Sequence, residues 1–261
     1  MNELQAIEFS ILKDLDAFCR KHKISYFLAE GTLLGAIRHH GFIPWDDDID
    51  VMMPRADYEK FLQIASQEID SEAYQVQHAS TVKNYWSPFI KLRLLKHSGL
   101  YSQAHIAHLT EANGPVLDIF PLDSVPHSSS LAQRFNGYYI VFLRKLLLLK
   151  LKAHKPKCVR TRLIAFLSPF YSVTGIHQRL DRAYRRFERA NNQYLTNWGS
   201  YYPAHRETFH IDSLFSDEVR YAPFEGEQFP IPIRAEEVLE KIYGDYMTPP
   251  DLDSQVNKRH F

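Results

Sequence analysis

The stretch GTLLGAIRHHGFIPWDDDIDV, Gly31 to Val51, constrains this chain more than any other. It is apolar and glycine-punctuated, and four carboxylates then arrive within five residues: Asp46, Asp47, Asp48 and Asp50. Gly31 and Gly35 permit close backbone approach or a positive φ, so the stretch from Ile24 reads as a short strand, a turn at Gly31 and a short helix. Ile49, Val51 and Met53 then alternate with Asp48, Asp50 and Met52, the period of a strand, which Pro54 ends. Such a strand turns Asp48 and Asp50 to one face, with Cβ atoms roughly 6–7 Å apart. Ionised carboxylates so placed repel each other unless a cation lies between them. Hard oxygen donors suit Mg²⁺ or Mn²⁺, which keep several waters and take substrate phosphates as further ligands. A calcium loop beginning at Asp46 is disfavoured, because Val51 stands where the sixth position needs glycine. A solvated acidic turn is the plainer alternative, and spacing alone does not decide against it.

A third carboxylate, Asp118 in VLDIF, has apolar neighbours on both sides. An isolated acid in a core-like strand is costly unless it is paired or liganded. On a strand adjacent to Asp48 and Asp50 it would complete a two-metal site of the kind used in phosphoryl chemistry.

The surrounding pattern predicts an α+β fold. The first 23 residues have Leu4, Ile7, Ile11, Leu12 and Leu15 at helical spacing, RADYEKFLQIASQEI carries Tyr58, Phe61, Leu62 and Ala65 on one helical face, and YQVQHAS, WSPFIKLRLL and GPVLDIFPLDSVP read as strands, the last closed by Pro121. These form a mixed sheet with flanking helices. The expected organisation is a catalytic core over 1–125, a basic helical region over 126–195, and a mixed segment over 196–261 that completes the core. The last contains an extended VRYAPFEGEQFPIP and a helix AEEVLEKIYG capped by Gly244.

Composition is that of an ordinary globular chain, 45% hydrophobic and 24% charged. Net charge is zero, but from Leu131 to Ala190 fourteen Lys and Arg face only Asp181 and Glu188, a local balance of +12. Such asymmetry suits two surfaces with different partners. The segment 138–157 is lysine-rich and amphipathic, which raises the expectation of peripheral contact with a membrane; a basic helix packed on the core is the alternative. The spacing of known nucleic-acid readers is absent, so no nucleic-acid partner is expected. No apolar h-region follows a basic start, and no run of about 20 apolar residues occurs, so neither a signal peptide nor a membrane span is expected. The two cysteines, Cys19 and Cys158, lack metal-like neighbours. A cytoplasmic setting follows, at most peripheral at the inner face of the membrane.

The ordered motif AEGTLLGAIRHHGFIPWDDDIDVMMPRADYEKF resembles the signature of the LicD family, relatives of the fukutin-related proteins within the nucleotidyltransferase fold. The likeness continues through FIKLR, LDIFPLD, FEGEQFPIP, YGDYMTPP and a final Arg-His, but not through the basic middle. It implies transfer of a phospho-alcohol from a CDP-linked donor to a hydroxyl of a glycan or lipid-linked glycan, such as lipopolysaccharide or teichoic acid, with CMP released. Phosphocholine from CDP-choline is the leading expectation. Ribitol or glycerol phosphate is the alternative, as is a nucleotidylyltransferase of the same fold, and a non-catalytic binding module is a third. The resemblance assigns Asp48 and Asp50 to the metals, and Asp118 either to the second metal or to the base. It places the donor phosphates against the backbone of Gly31 and Thr32. Arg38, His39 and Lys91 are candidate substrate-binding residues. Asp46 would position the strand, and Trp45 would stack on the donor or pack in the core. Asp47 would be structural. A choline head favours aromatic faces, and Tyr85, Trp86 and Tyr101 lie near the active strands.

Overall fold

A computed structural model describes residues 1–95, 114–127, 130–151, 159–190, 192–199, 207–251 and 255. Tyr101, Lys152, Lys155, Lys157, Cys158 and the final Arg-His lie outside the described residues. The chain is α+β. Helix α1 (Glu3–His22) opens with a capping box in which the Asn2 side chain accepts from Gln5 N–H and Gln5 reaches back to Asn2 N–H. It buries Ile11, Leu12 and Leu15, as the apolar spacing requires. The two-residue strand β1 (Phe27–Leu28) leads into α2 (Glu30–His39), and β2 (Ile49–Pro54) runs straight into α3 (Arg55–Glu68), which buries Tyr58, Phe61 and Ala65. Then follow β3 (Tyr74–Gln77), β4 (Ile90–Leu94), β5 (Val116–Val125), α4 (Leu131–Lys150), α5 (Val159–Leu167), a 3-10 turn at Ser168–Phe170 and α6 (Val173–Tyr184). The chain closes with β6 (Tyr194–Asn197), β7 (Thr208–His210), α7 (Ile211–Leu214), the hairpin β8 (Arg220–Phe224) and β9 (Glu227–Ile231), and α8 (Ala235–Tyr243), stopped by Gly244 at φ 69°.

The sheet runs β1-β2-β5-β4-β3, with β6 added to β5 and β7 to β6. Among the described strands only β2 and β5 pair parallel, so the sheet is mixed. Strand β5 is its hub. One side lies along β2 from Leu117 to Leu122, and the other is shared between β4 up to Ile119 and β6 from Leu122. Pro121 was expected to close this strand, but β5 continues to Val125. Pro121 sits where the neighbour changes from β4 to β6, a place where a missing N–H interrupts neither ladder.

Gly31 differs from expectation too. It lies in the first turn of α2 and makes no turn of its own; the positive φ belongs to Glu30 before it, at 47°. What Gly31 provides is proximity, since a Cβ there would lie 2.6 Å from Asp46 Oδ2.

Two apolar clusters form among the described residues. One joins α1, α2, α3, the β8–β9 hairpin and α8 to the sheet. The other lies among α4, α5 and α6, with Val125 and Trp198. In that cluster Leu143, Leu146, Leu147 and Leu151 are all buried, so the apolar face of α4 is covered by protein. No described helix is long and apolar enough to cross a membrane. Cys19 is a buried free thiol, its pKa raised by burial and then by Asp16 and Asp57.

Candidate active site

The acidic loop is held from three directions. The Thr32 hydroxyl on α2 accepts from Asp50 N–H at 2.8 Å, and Ala29 N–H donates to the Asp50 carbonyl at 3.0 Å. Gln5 of α1 donates from Nε2 to the Asp46 carbonyl at 2.8 Å. From the C-terminal hairpin, Glu225 Oε1 accepts from Phe42 N–H at 2.9 Å, and Glu225 N–H donates to the His40 carbonyl at 2.9 Å. Glu225 occupies the hairpin tip with φ 51°. Its side chain turns toward Gly41, where a Cβ would collide with it. This is why a segment almost two hundred residues downstream belongs to the site.

Parallel pairing of β2 with β5 sets Asp50 opposite Asp118, and antiparallel pairing of β4 sets Lys91 on the other side of Asp118. Lys91 Nζ donates to both Asp118 oxygens, at 2.6 and 2.7 Å. The same ammonium lies 5.0 Å from the Phe89 ring centroid and 5.9 Å from that of Trp86. Asp48 precedes β2 by one residue. Burial holds the Asp50 carboxyl well above the usual range, and Asp48, Asp118, Glu30 and Asp46 push it further up. Asp46 is raised by burial first and by Asp47, against a hydrogen bond with Asp48. Glu8 on α1 is raised by burial, then by Asp48, Asp47, Asp118 and Asp46. It is 1% exposed, and its Oε2 has no hydrogen-bond partner among the described residues.

Negative charge therefore gathers in a poorly solvated place. Oxygen donors, mutual repulsion and the unpartnered Glu8 Oε2 fit a hard divalent cation. Among the described residues, however, no three His, Cys, Asp or Glu side chains stand close enough together to hold one.

Other residues singled out from the sequence are placed as follows. Arg38 donates from Nη1 to the Tyr246 carbonyl at 2.6 Å, tying α2 to the YGDYMTPP segment, and burial lowers its pKa. The His39 pKa falls through burial, then through Arg38. Its ring meets Trp45 edge-on, centroids 6.2 Å apart, and Trp45 packs against the first apolar cluster. Tyr85 is wholly buried and donates its hydroxyl to the Phe89 carbonyl at 2.8 Å, so it offers no face to a choline head. Trp86 is half-buried beside Lys91.

Sequence reasoning passed over several participants. Glu8 had a readable signal, since it falls in the helical stripe of Leu4, Ile11, Leu12 and Leu15, where a carboxylate is out of place. Glu30 was within the quoted motif but received no role. Tyr243 of α8 has its phenol raised by burial, then by Glu30, Asp50 and Asp46, which puts it beside the same carboxylates. Arg55 grips the buried Asp123 with two bonds of 2.7 Å and pins the start of α3 to β5; nothing local in the sequence marks that pair.

Comparison with known proteins bears on this arrangement. A family model described as LicD/FKTN/FKRP, nucleotidyltransferase domain, matches residues 23–133. The lipopolysaccharide cholinephosphotransferase LicD of Haemophilus influenzae is 30% identical over 269 aligned positions, covering 98% of this chain and 94% of its own length. The chain belongs to the LicD family. Within that family the likeness includes the basic middle, which the motifs alone did not reach, because the Haemophilus alignment spans it. An uncharacterised protein of Rickettsia typhi is 39% identical over 70 residues, 27% of this chain and 22% of its own.

Proposed function

We propose that this LicD-family transferase moves phosphocholine from CDP-choline to a hydroxyl of a lipopolysaccharide-type glycan, releasing CMP. The observation that carries this reading is end-to-end similarity to the Haemophilus cholinephosphotransferase, in a chain whose β2–β5 register sets Asp50 against Asp118. A divalent cation, Mg²⁺ or Mn²⁺, would be held by Asp48 and Asp50 and would supply charge neutralisation at the donor pyrophosphate. Asp118 is already matched by the Lys91 ammonium, which makes it the poorer cation ligand. It is assigned instead to the proton of the acceptor hydroxyl, which it can take once Lys91 turns from it to the donor phosphate. The acceptor oxygen bonds to the phosphorus that carries choline, the bond from that phosphorus to the bridging oxygen breaks, and CMP departs with the electron pair. The backbone at Gly31 and Thr32 and the side chains of Arg38, His39 and Lys91 orient the donor phosphates. Of the described aromatics beside them, Trp86 is the one assigned to offer its face to the choline cation.

Peripheral membrane contact is part of the same proposal, but it moves from 138–157 to α5 and the turn after it. Val159, Leu163, Phe166 and Phe170 are exposed there within the basic region, Phe166 at 73%. The chain thus works at the inner face of a membrane, with 126–195 as its docking region between a core over 1–125 and its completion over 196–261.

The test is a screen of CDP-choline, CDP-ethanolamine, CDP-ribitol and CDP-glycerol for CMP release and protein stabilisation, with and without Mg²⁺ or Mn²⁺. CDP-choline should be selected, and only with metal. Preference for a polyol donor, or a product carrying CMP, would overturn the reading.

A further inference from the structure

Strand order places Glu30 and Asp118 on opposite sides of Asp50. The sheet runs β1-β2-β5-β4 here. Asp118 and Lys91 lie on the β5–β4 side, and Glu30 opens α2 two residues after β1. Glu30 holds φ 47°, a left-handed conformation that glycine takes at less cost. The glycine next to it, Gly31, is helical instead. Backbone strain retained at a reaction site points to a use for the side chain it aims. Glu30 is half-buried, and after burial, Asp48 and Asp118 it is the next influence raising Asp50.

Tyr243 ends α8 and is 42% exposed. Helix α8 packs on α2, and Arg38 Nη1 ties the segment after α8 to α2 through the Tyr246 carbonyl at 2.6 Å. The Tyr243 phenol is raised by burial, then by Glu30, Asp50 and Asp46, so the hydroxyl is the inward end and the ring supplies the exposed surface. A carboxylate beside an exposed aromatic ring suits a base that carries an exocyclic amine: the carboxylate accepts from the amine and the ring stacks on the base. In the transfer proposed for this chain, the attacking and leaving oxygens stand in line across the phosphorus. The acceptor approaches from Asp118, and Trp86 beside Lys91 takes the choline. CMP therefore lies beyond Asp50, toward Glu30 and Tyr243.

We infer that Glu30 and Tyr243 read the cytosine base of the donor: the Glu30 carboxylate accepts from the exocyclic amine, and the Tyr243 ring stacks on the base. Uracil presents a carbonyl oxygen at the amine's position, which the carboxylate repels. The pair thus sets a preference for cytidine over uridine nucleotides. The inference rests on the transferase reading in its use of a cytidine nucleotide, but not on the identity of the alcohol.

Isothermal titration with CMP and UMP in Mg²⁺ buffer tests this without donor or acceptor. Wild type should bind CMP about tenfold or more tighter than UMP. Glu30→Gln keeps the shape but can also donate to a carbonyl oxygen, so the ratio should fall below about threefold. Glu30→Gly should lose the ratio too, with Tm no lower than wild type, because glycine is at ease at that φ. Tyr243→Ala should weaken both nucleotides about tenfold and leave the ratio as it was. Equal wild-type affinity for the two nucleotides, no binding of CMP, or a wild-type ratio in both Glu30 variants would each overturn the inference. So would binding of choline chloride that Glu30→Gln abolishes, which would make Glu30 the acid for the alcohol head. A donor screen that selects a polyol over choline would overturn the phosphocholine reading and leave this inference standing.

Discussion

At the scale of single residues, the site is an arrangement of carboxylates that do not all tolerate charge together. Asp50→Asn keeps the shape and removes the most strongly repelled charge. Activity should fall by about 10²-fold or more, and stabilisation by metal plus donor should vanish, while the metal-free protein should melt no lower than wild type. Asp47→Asn should stay largely active. Equal damage at both positions in a CMP-release assay would mean a diffuse acidic patch and no metal pair. Glu8 allows a test by pH. Its folded pKa is raised above the ordinary 4.5, so the folded state holds its proton more tightly than the unfolded one. The corresponding stability is present at low pH and is lost as pH rises from about 4.5 through the folded value. Glu8→Gln should therefore flatten the decline in Tm across that window and raise Tm at neutral pH; an unchanged pH profile would show that Glu8 is not a burden on the fold.

At the scale of elements, strand register does the assembling. Lys91 and Asp118 meet because β4 and β5 pair antiparallel, and the Lys91 side chain is 4% exposed against 20% for Asp118. Lys91→Ala leaves a partly buried carboxylate unmatched among others, which should cost about 2–4 kcal/mol in denaturant unfolding. A loss under about 0.5 kcal/mol would show that water compensates Asp118 freely. The β8–β9 hairpin acts on the acidic loop through Glu225. Glu225→Ala removes the acceptor for Phe42 N–H, with an expected loss of about 1–2 kcal/mol. The active loop should loosen as well, read as faster amide exchange over 41–48; unchanged exchange there would free the hairpin from this role. The helix α4 illustrates the limit of amphipathic patterns. Its leucine face is genuine, but α5 and α6 cover it, and the exposed apolar side chains are Leu131 and Phe135 in its first turns and Leu163 and Phe166 on α5.

At the scale of the whole molecule, the sheet with its acidic site and the basic helices pack as two apolar clusters, linked through β5 and through contacts such as Arg185 with Glu59 at 2.5 Å. If the basic side is the membrane face, the chain should co-sediment with anionic vesicles at low salt and release at high salt. Phe166→Glu should reduce the bound fraction several-fold without lowering CMP release in solution, whereas equal binding by variant and wild type would place the contact elsewhere. Much of this protein can be read in one dimension. The strand–helix alternation, the Gly244 cap of α8, the acids on β2 and β5 and the family motif all follow from local periodicity and residue order, which survive without any partner. The sequence could not show that Gly31 sits inside a helix beside Asp46, that β5 passes through Pro121, or that Glu8 joins the carboxylates while Lys91 turns to Asp118. Those outcomes depend on register between strands and on which helix face is covered. Such contacts join residues far apart in the chain, and their energies exist only once burial has removed the water that would otherwise serve each group separately.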